Sequence, residues 1–138
     1  MDRMTALFRL LTLILLTSAA SADALQYKQM FLARVYNFGR LNRFNISNIN
    51  RDKYVNCIMR VKIKTTLNAG GEVVKTEVTE PAPVPVVNSY FLYIIQQASP
   101  YGPLEKYVGP GEDQLVIEEY FRLKLGLYEY STVNEPCK

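Results

Sequence analysis

Between Tyr54 and Thr66 the chain alternates apolar and basic side chains with a period of two. Cys57, Met59, Val61 and Ile63 fall on one parity, and Asn56, Arg60, Lys62 and Lys64 on the other, interrupted by Ile58. Successive side chains of a strand point to opposite faces, so this is a half-buried strand with its apolar side inward and its basic side outward. Asn68-Ala69-Gly70-Gly71 is a turn signal, and Glu72 to Thr79 reads as the returning strand of a hairpin. The run Pro81-Ala82-Pro83-Val84-Pro85 cannot donate ladder hydrogen bonds and serves as an edge or a connector.

The remaining segments extend this β pattern. Tyr90 to Gln97 is apolar until Gln96, as expected of a strand buried on both faces, and Tyr90 and Tyr93 are read as core residues. Leu115 to Leu127 places Leu115, Ile117, Phe121, Leu123, Leu125 and Leu127 on one parity. Glu119 breaks that parity, either because a bulge shifts the register or because the carboxylate is buried against a cation. Met30 to Phe38 has the composition of a strand, while Ala24 to Val35 reads equally as a helix. Gly39 to Asp52 and Ser99 to Gly111 read as long loops. The expected fold class is mainly β: a small five-stranded barrel of the oligonucleotide/oligosaccharide-binding (OB) type, or a β-sandwich, with long loops and at most one short helix.

The amino end carries Arg3 and Arg9, then the apolar core Leu10-Leu11-Thr12-Leu13-Ile14-Leu15-Leu16, then the small residues Ala20-Ser21-Ala22. That order is the pattern of a cleaved export signal. The apolar stretch falls short of the roughly 20 residues that span hydrocarbon. The expectation is a signal peptide over 1–22 and one secreted, extracellular domain over 23–138, with no membrane span. In an oxidising compartment, Cys57 and Cys137 are expected to form one disulfide closing a loop of about 80 residues, with free thiols or an intermolecular bridge as the alternatives. Asn45-Ile46-Ser47 is an N-glycosylation sequon, so Asn45 is a candidate glycan site on an exposed loop.

Charge is uneven along the chain. Residues 24–75 carry ten Lys and Arg against two acids, and residues 76–138 carry four against nine. One reading is a basic surface on Arg60, Lys62 and Lys64, with Arg40, Arg43, Arg51 and Lys53 beside it, facing an anionic partner. The other is cross-strand pairing of basic with acidic strands inside the sheet. Nucleic acid is disfavoured as a partner of an exported chain.

There is no histidine. Ser-His-Asp and Cys-His catalysis and the common metal sites are therefore excluded, and no cofactor or metal is expected. Glu118 and Glu119 are neighbours on a strand and point to opposite faces, so they do not form a glycosidase pair. The glycines at Gly70-Gly71 and at Gly109-Pro110-Gly111 read as turns and not as phosphate loops. Tyrosine is frequent, with ten residues and no tryptophan. Tyr101 and Tyr107 lie in the Pro/Gly loop, either exposed for binding or folded back over the domain.

In pattern, the order of elements resembles the netrin-like domain shared by tissue inhibitors of metalloproteases, netrins and complement proteins. The resemblance runs through Phe31-Leu32-Ala33-Arg34-Val35, the basic strand Tyr54 to Thr66, Val78-Thr79-Glu80-Pro81, Tyr90 to Ile95, and Leu115 to Leu127 with Cys137. It implies a five-stranded OB-type barrel. The expected mature start Asp23-Ala24-Leu25-Gln26 lacks the Cys-x-Cys with which the metalloprotease inhibitors of that family chelate zinc, so that chemistry is not carried over. The Gln-x-Val-x-Gly hairpin of cystatin-like inhibitors is also missing.

The functional expectation is a secreted, non-enzymatic protein-binding module of netrin-like type, using the loop tyrosines or the basic stripe. The alternatives are an extracellular protease inhibitor acting through the exposed loop Pro100 to Gly111, and a binder of sulfated glycan through residues 60–64.

Overall fold

The computed structural model describes residues 23–39, 51–54, 57–104, 112–124 and 135–138. Residues 1–22, read from the sequence as an export signal, and Asn45 and Tyr107 lie outside them. In chain order the elements are a helix α1 over residues 23–39, a single helical turn α2 (Arg51–Tyr54), β1 (Ile58–Asn68), β2 (Val73–Glu80), α3 (Pro85–Gln97) and β3 (Gln114–Lys124). The strands form one antiparallel sheet in the order β2-β1-β3.

The alternating segment is β1, at the centre of the sheet. Met59, Val61, Ile63, Thr65 and Leu67 are fully buried, and the even-numbered residues from Arg60 onward point the other way. The turn to β2 is closed by Asn68, whose Oδ1 accepts from the Gly70 N–H at 3.1 Å and the Glu72 N–H at 2.9 Å. Gly71 sits at φ +79°, and a Cβ there would lie 2.0 Å from the Gly102 carbonyl oxygen. That close approach seats residues 99–104 on the turn. The Tyr101 N–H bonds the Gly71 oxygen, the Leu104 N–H bonds the Ala69 oxygen, and the Tyr27 hydroxyl of α1 donates to the Gly102 oxygen.

The expected five-stranded barrel or sandwich is not what forms. Among the described residues there are three strands in one open sheet, and two segments expected to be strands are helices. Tyr90 to Gln97 belongs to α3, which starts at Pro85, where proline's fixed φ suits the first helical turn and its missing N–H costs nothing. Counted from Pro85, the apolar residues Val87, Tyr90, Phe91, Ile94 and Ile95 recur at helical spacing and are buried. Tyr93 points away from that stripe and is 55 % exposed, so it is not a core residue. Met30 to Phe38 is likewise helical, in line with the helix reading of 24–35: Tyr27, Phe31 and Val35, four residues apart, form the buried stripe of α1.

Helices α1 and α3 pack on one face of the sheet. Phe121 of β3 is the shared anchor, with ring centroids 5.4 Å from Phe91 of α3 and 6.1 Å from Tyr36 of α1. Phe31 of α1 stacks at 4.5 Å on Tyr101, which is itself buried. No described helix is long and apolar enough to cross a membrane.

The β1–β3 register runs without a shift from Ile58↔Lys124 to Asn68↔Gln114, so no bulge explains Glu119. Its carboxylate instead faces the helices, half-buried, and pairs with Lys28 of α1. The last residues return to the sheet. The Ile58 N–H donates to the Glu135 oxygen at 2.8 Å and the Cys137 N–H to the Ile58 oxygen at 2.9 Å, a short parallel bridge on the flank of β1 that β2 leaves free beyond Glu80. Cys57 and Cys137 lie there at disulfide distance, with Cα atoms 4.9 Å apart.

Candidate functional site

With both helices on one side, the other face of the sheet presents the outward residues of three strands. β1 contributes Arg60, Lys62 and Lys64, which share its outward face. β3 contributes Val116, Glu118, Tyr120 and Arg122, and β2 contributes Lys75, Glu77 and Glu80.

The middle of this face is internally neutralised. Lys62 Nζ lies 4.0 Å from Glu80 Oε1 and 3.8 Å from Glu118 Oε1. Lys64 stands in register between Glu77 on β2 and Glu118 on β3. Thr79, at the bulge opposite Lys62, places its hydroxyl 3.3 Å from the Lys62 carbonyl oxygen and 3.2 Å from Glu118 Oε1. Cross-strand pairing of basic with acidic strands thus describes this half of the stripe.

Tyr120 organises the boundary. Its hydroxyl donates to Glu80, and its ring lies under two cations, with the Arg60 guanidinium 4.7 Å and the Lys62 ammonium 5.2 Å from the centroid. The hydrogen bond to Glu80 stabilises the protonated phenol and raises its pKa, with smaller contributions from burial and the Glu80 charge, against the lowering effect of Lys62 and Arg60.

Beyond Tyr120 the face changes character. Arg60 stands directly opposite Arg122. The Arg122 N–H donates outward to the Tyr36 hydroxyl at 3.3 Å, and the Ile58 backbone, two residues from Arg60, bonds the terminal segment on the other flank. Both patterns make Arg60 and Arg122 a non-hydrogen-bonded cross-strand pair, the geometry that holds facing side chains closest, with Cα atoms about 4.5 Å apart. Like charges so placed repel. Among the described residues neither arginine has a carboxylate within ion-pair distance. Beside them lies a cavity of about 260 Å³, lined by Ile58, Arg60, Arg122 and Pro136.

The other expected site residues lie elsewhere. Of the two readings of the loop tyrosines, Tyr101 takes the folded-back one: it is 2 % exposed, and its hydroxyl donates to the Ile95 oxygen at 2.7 Å. Burial pushes its pKa well above the ordinary tyrosine value, only partly offset by the nearby Arg34 charge. The described start of the Pro100–Gly111 loop is pinned to the β1–β2 turn. Arg122, Tyr120 and Pro136 were not singled out by sequence. The even parity of β3 carried the signal for the first two, but only the register reveals that Arg122 faces Arg60.

No family model, no curated protein and no solved structure matches the chain.

Proposed function

We propose that this chain is an exported, non-enzymatic protein-binding module that holds its partner on the open face of the sheet, at the end marked by Arg60 and Arg122. The observation that carries the reading is the facing pair of arginines beside a cavity, with no described carboxylate to offset them. A repulsive pair at the surface is a cost to the free protein that an anionic partner relieves. Export is supported by the amino-terminal pattern and by a cysteine pair that suits an oxidising compartment. An extended polyanion suits the face less well, because Glu80, Glu77 and Glu118 are interleaved with the lysines and would repel a chain of evenly spaced sulfates.

The test is capture from extracellular fluid with three versions of the bait. A partner retained by the wild type and by the helix-face control Gln29→Glu, but lost with Arg60→Glu combined with Arg122→Glu, supports the reading. Capture that survives the sheet-face reversal contradicts it, as does retention of sulfated glycan alone.

A further inference from the structure

The cavity at the basic end has a chemistry more specific than positive charge. Two of the four lining residues are arginines and two are apolar: Ile58, which is 8 % exposed, and Pro136 of the terminal segment. The ring of Tyr120 lies against the Arg60 guanidinium, at a distance typical of stacking. A guanidinium offers N–H donors in a planar fork that matches a carboxylate with two parallel bonds. Two arginines at directly paired register positions can bring two such forks to the oxygens of one carboxylate, while Ile58 and Pro136 cover its methylene stem.

We infer that this cavity is a carboxylate pocket that takes one glutamate side chain from an acidic peptide segment of the partner. The inference rests on the protein-binding reading above and narrows it to a ligand class. The surroundings favour a single carboxylate over a run of charges. Glu80 touches Tyr120 and Lys62, and Glu118 lies on the next outward position of β3 beyond Tyr120, so a second anionic group placed toward the middle of the face meets acids. Pro136 reaches the cavity through the bridge at Ile58 and the adjoining Cys57–Cys137 pair, so the pocket wall depends on both.

The probe is a capped pentapeptide with a central glutamate between alanines, titrated into the 15N-labelled, disulfide-bonded chain while the arginine Nε–Hε resonances are followed. The expected result is a saturable shift of Arg60 and Arg122, at least tenfold weaker with the glutamine counterpart. Arg122→Gln should abolish it with the amide spectrum otherwise unchanged, and Arg122→Lys should weaken it, because a point charge lacks the fork. Equal shifts with both peptides, no saturable shift, or a response undiminished in Arg122→Gln overturns the pocket. Shifts produced by a heparin-derived hexasaccharide and not by the peptide overturn the ligand class. If the peptide fails while partner capture still depends on Arg60 and Arg122, the pocket assignment falls and the broader binding reading stands.

Discussion

Lys28 of α1 pairs with Glu119 of β3, joining helix to sheet at the one position where the apolar parity of β3 is broken. The carboxylate sits on the helix-facing side between Ile117 and Phe121, both buried. Both partners keep contact with water, so the pair itself contributes at most about 1 kcal/mol. Lys28→Ala should lower stability by about that amount, and the combined Lys28→Met, Glu119→Leu variant should return close to wild type. Urea unfolding midpoints of Lys28→Met, Glu119→Leu and the double decide it; a double as unstable as the sum of those two singles would show that the pair is not coupled.

The terminal cysteine is expected to matter more. A loop of 80 residues is worth about 4 kcal/mol on the chain-entropy account. Cys57→Ser with Cys137→Ser should lower the thermal midpoint markedly and release the segment that carries Pro136. Mass analysis after alkylation without reductant should find no accessible thiol in the wild-type monomer, and two modified cysteines would refute the pairing.

Gly71 and Gly102 both have positive φ but differ in surroundings. Alanine at Gly71 meets the Gly102 backbone as well as an unfavourable φ, whereas alanine at Gly102 meets open space. Gly71→Ala should therefore cost more than the roughly 1 kcal/mol typical of a strained backbone position, and Gly102→Ala about that much. Hydrogen exchange at the Tyr101 and Leu104 amides should accelerate in Gly71→Ala, since both bond the turn.

Tyr101 gives the fold an alkaline limit. Its pKa is raised chiefly by burial, so its neutral form is favoured in the folded state. The folded value lies above the unfolded one, so this contribution is complete below the ordinary tyrosine range, near 10, and is lost as pH rises toward the folded value. Stability measured between pH 9 and 12 should fall more gently in Tyr101→Phe, which starts about 1 kcal/mol lower for want of the bond to Ile95. Identical pH slopes would rule out that origin.

The hairpin was legible because its signals are local: alternation in β1, and Asn68 with two glycines at the turn. The helix that replaces the strand expected over Tyr90 to Gln97 was hidden because an apolar residue also occupies the exposed side of α3: Tyr93 is 55 % exposed and masks the helical period of the buried residues. All six residues from Tyr90 to Ile95 are apolar, so only the helix start at Pro85, inside a proline-rich connector, distinguished thirteen helical residues from a buried strand. Glu119 offered two explanations that the sequence could not separate, because Lys28 lies far away in the chain. The basic stripe was visible, but its division into a neutralised half and an unpaired end depends on register, which places Lys62 among Glu80 and Glu118 and leaves Arg60 facing Arg122. Cross-strand partners are a tertiary fact, and neither parity nor charge counts supply them.

The central claim is that the open face of the sheet is the binding surface. Mapping amide shifts of the labelled chain on addition of the captured partner tests it most directly. The account predicts perturbations at Arg60, Lys62 and Lys64 of β1 and at Glu118, Tyr120 and Arg122 of β3, fading toward the Asn68 turn, with the exposed helix positions Leu25 and Tyr93 silent. Perturbations centred on α1, α3 or residues 99–104, with the sheet face unchanged, would contradict it.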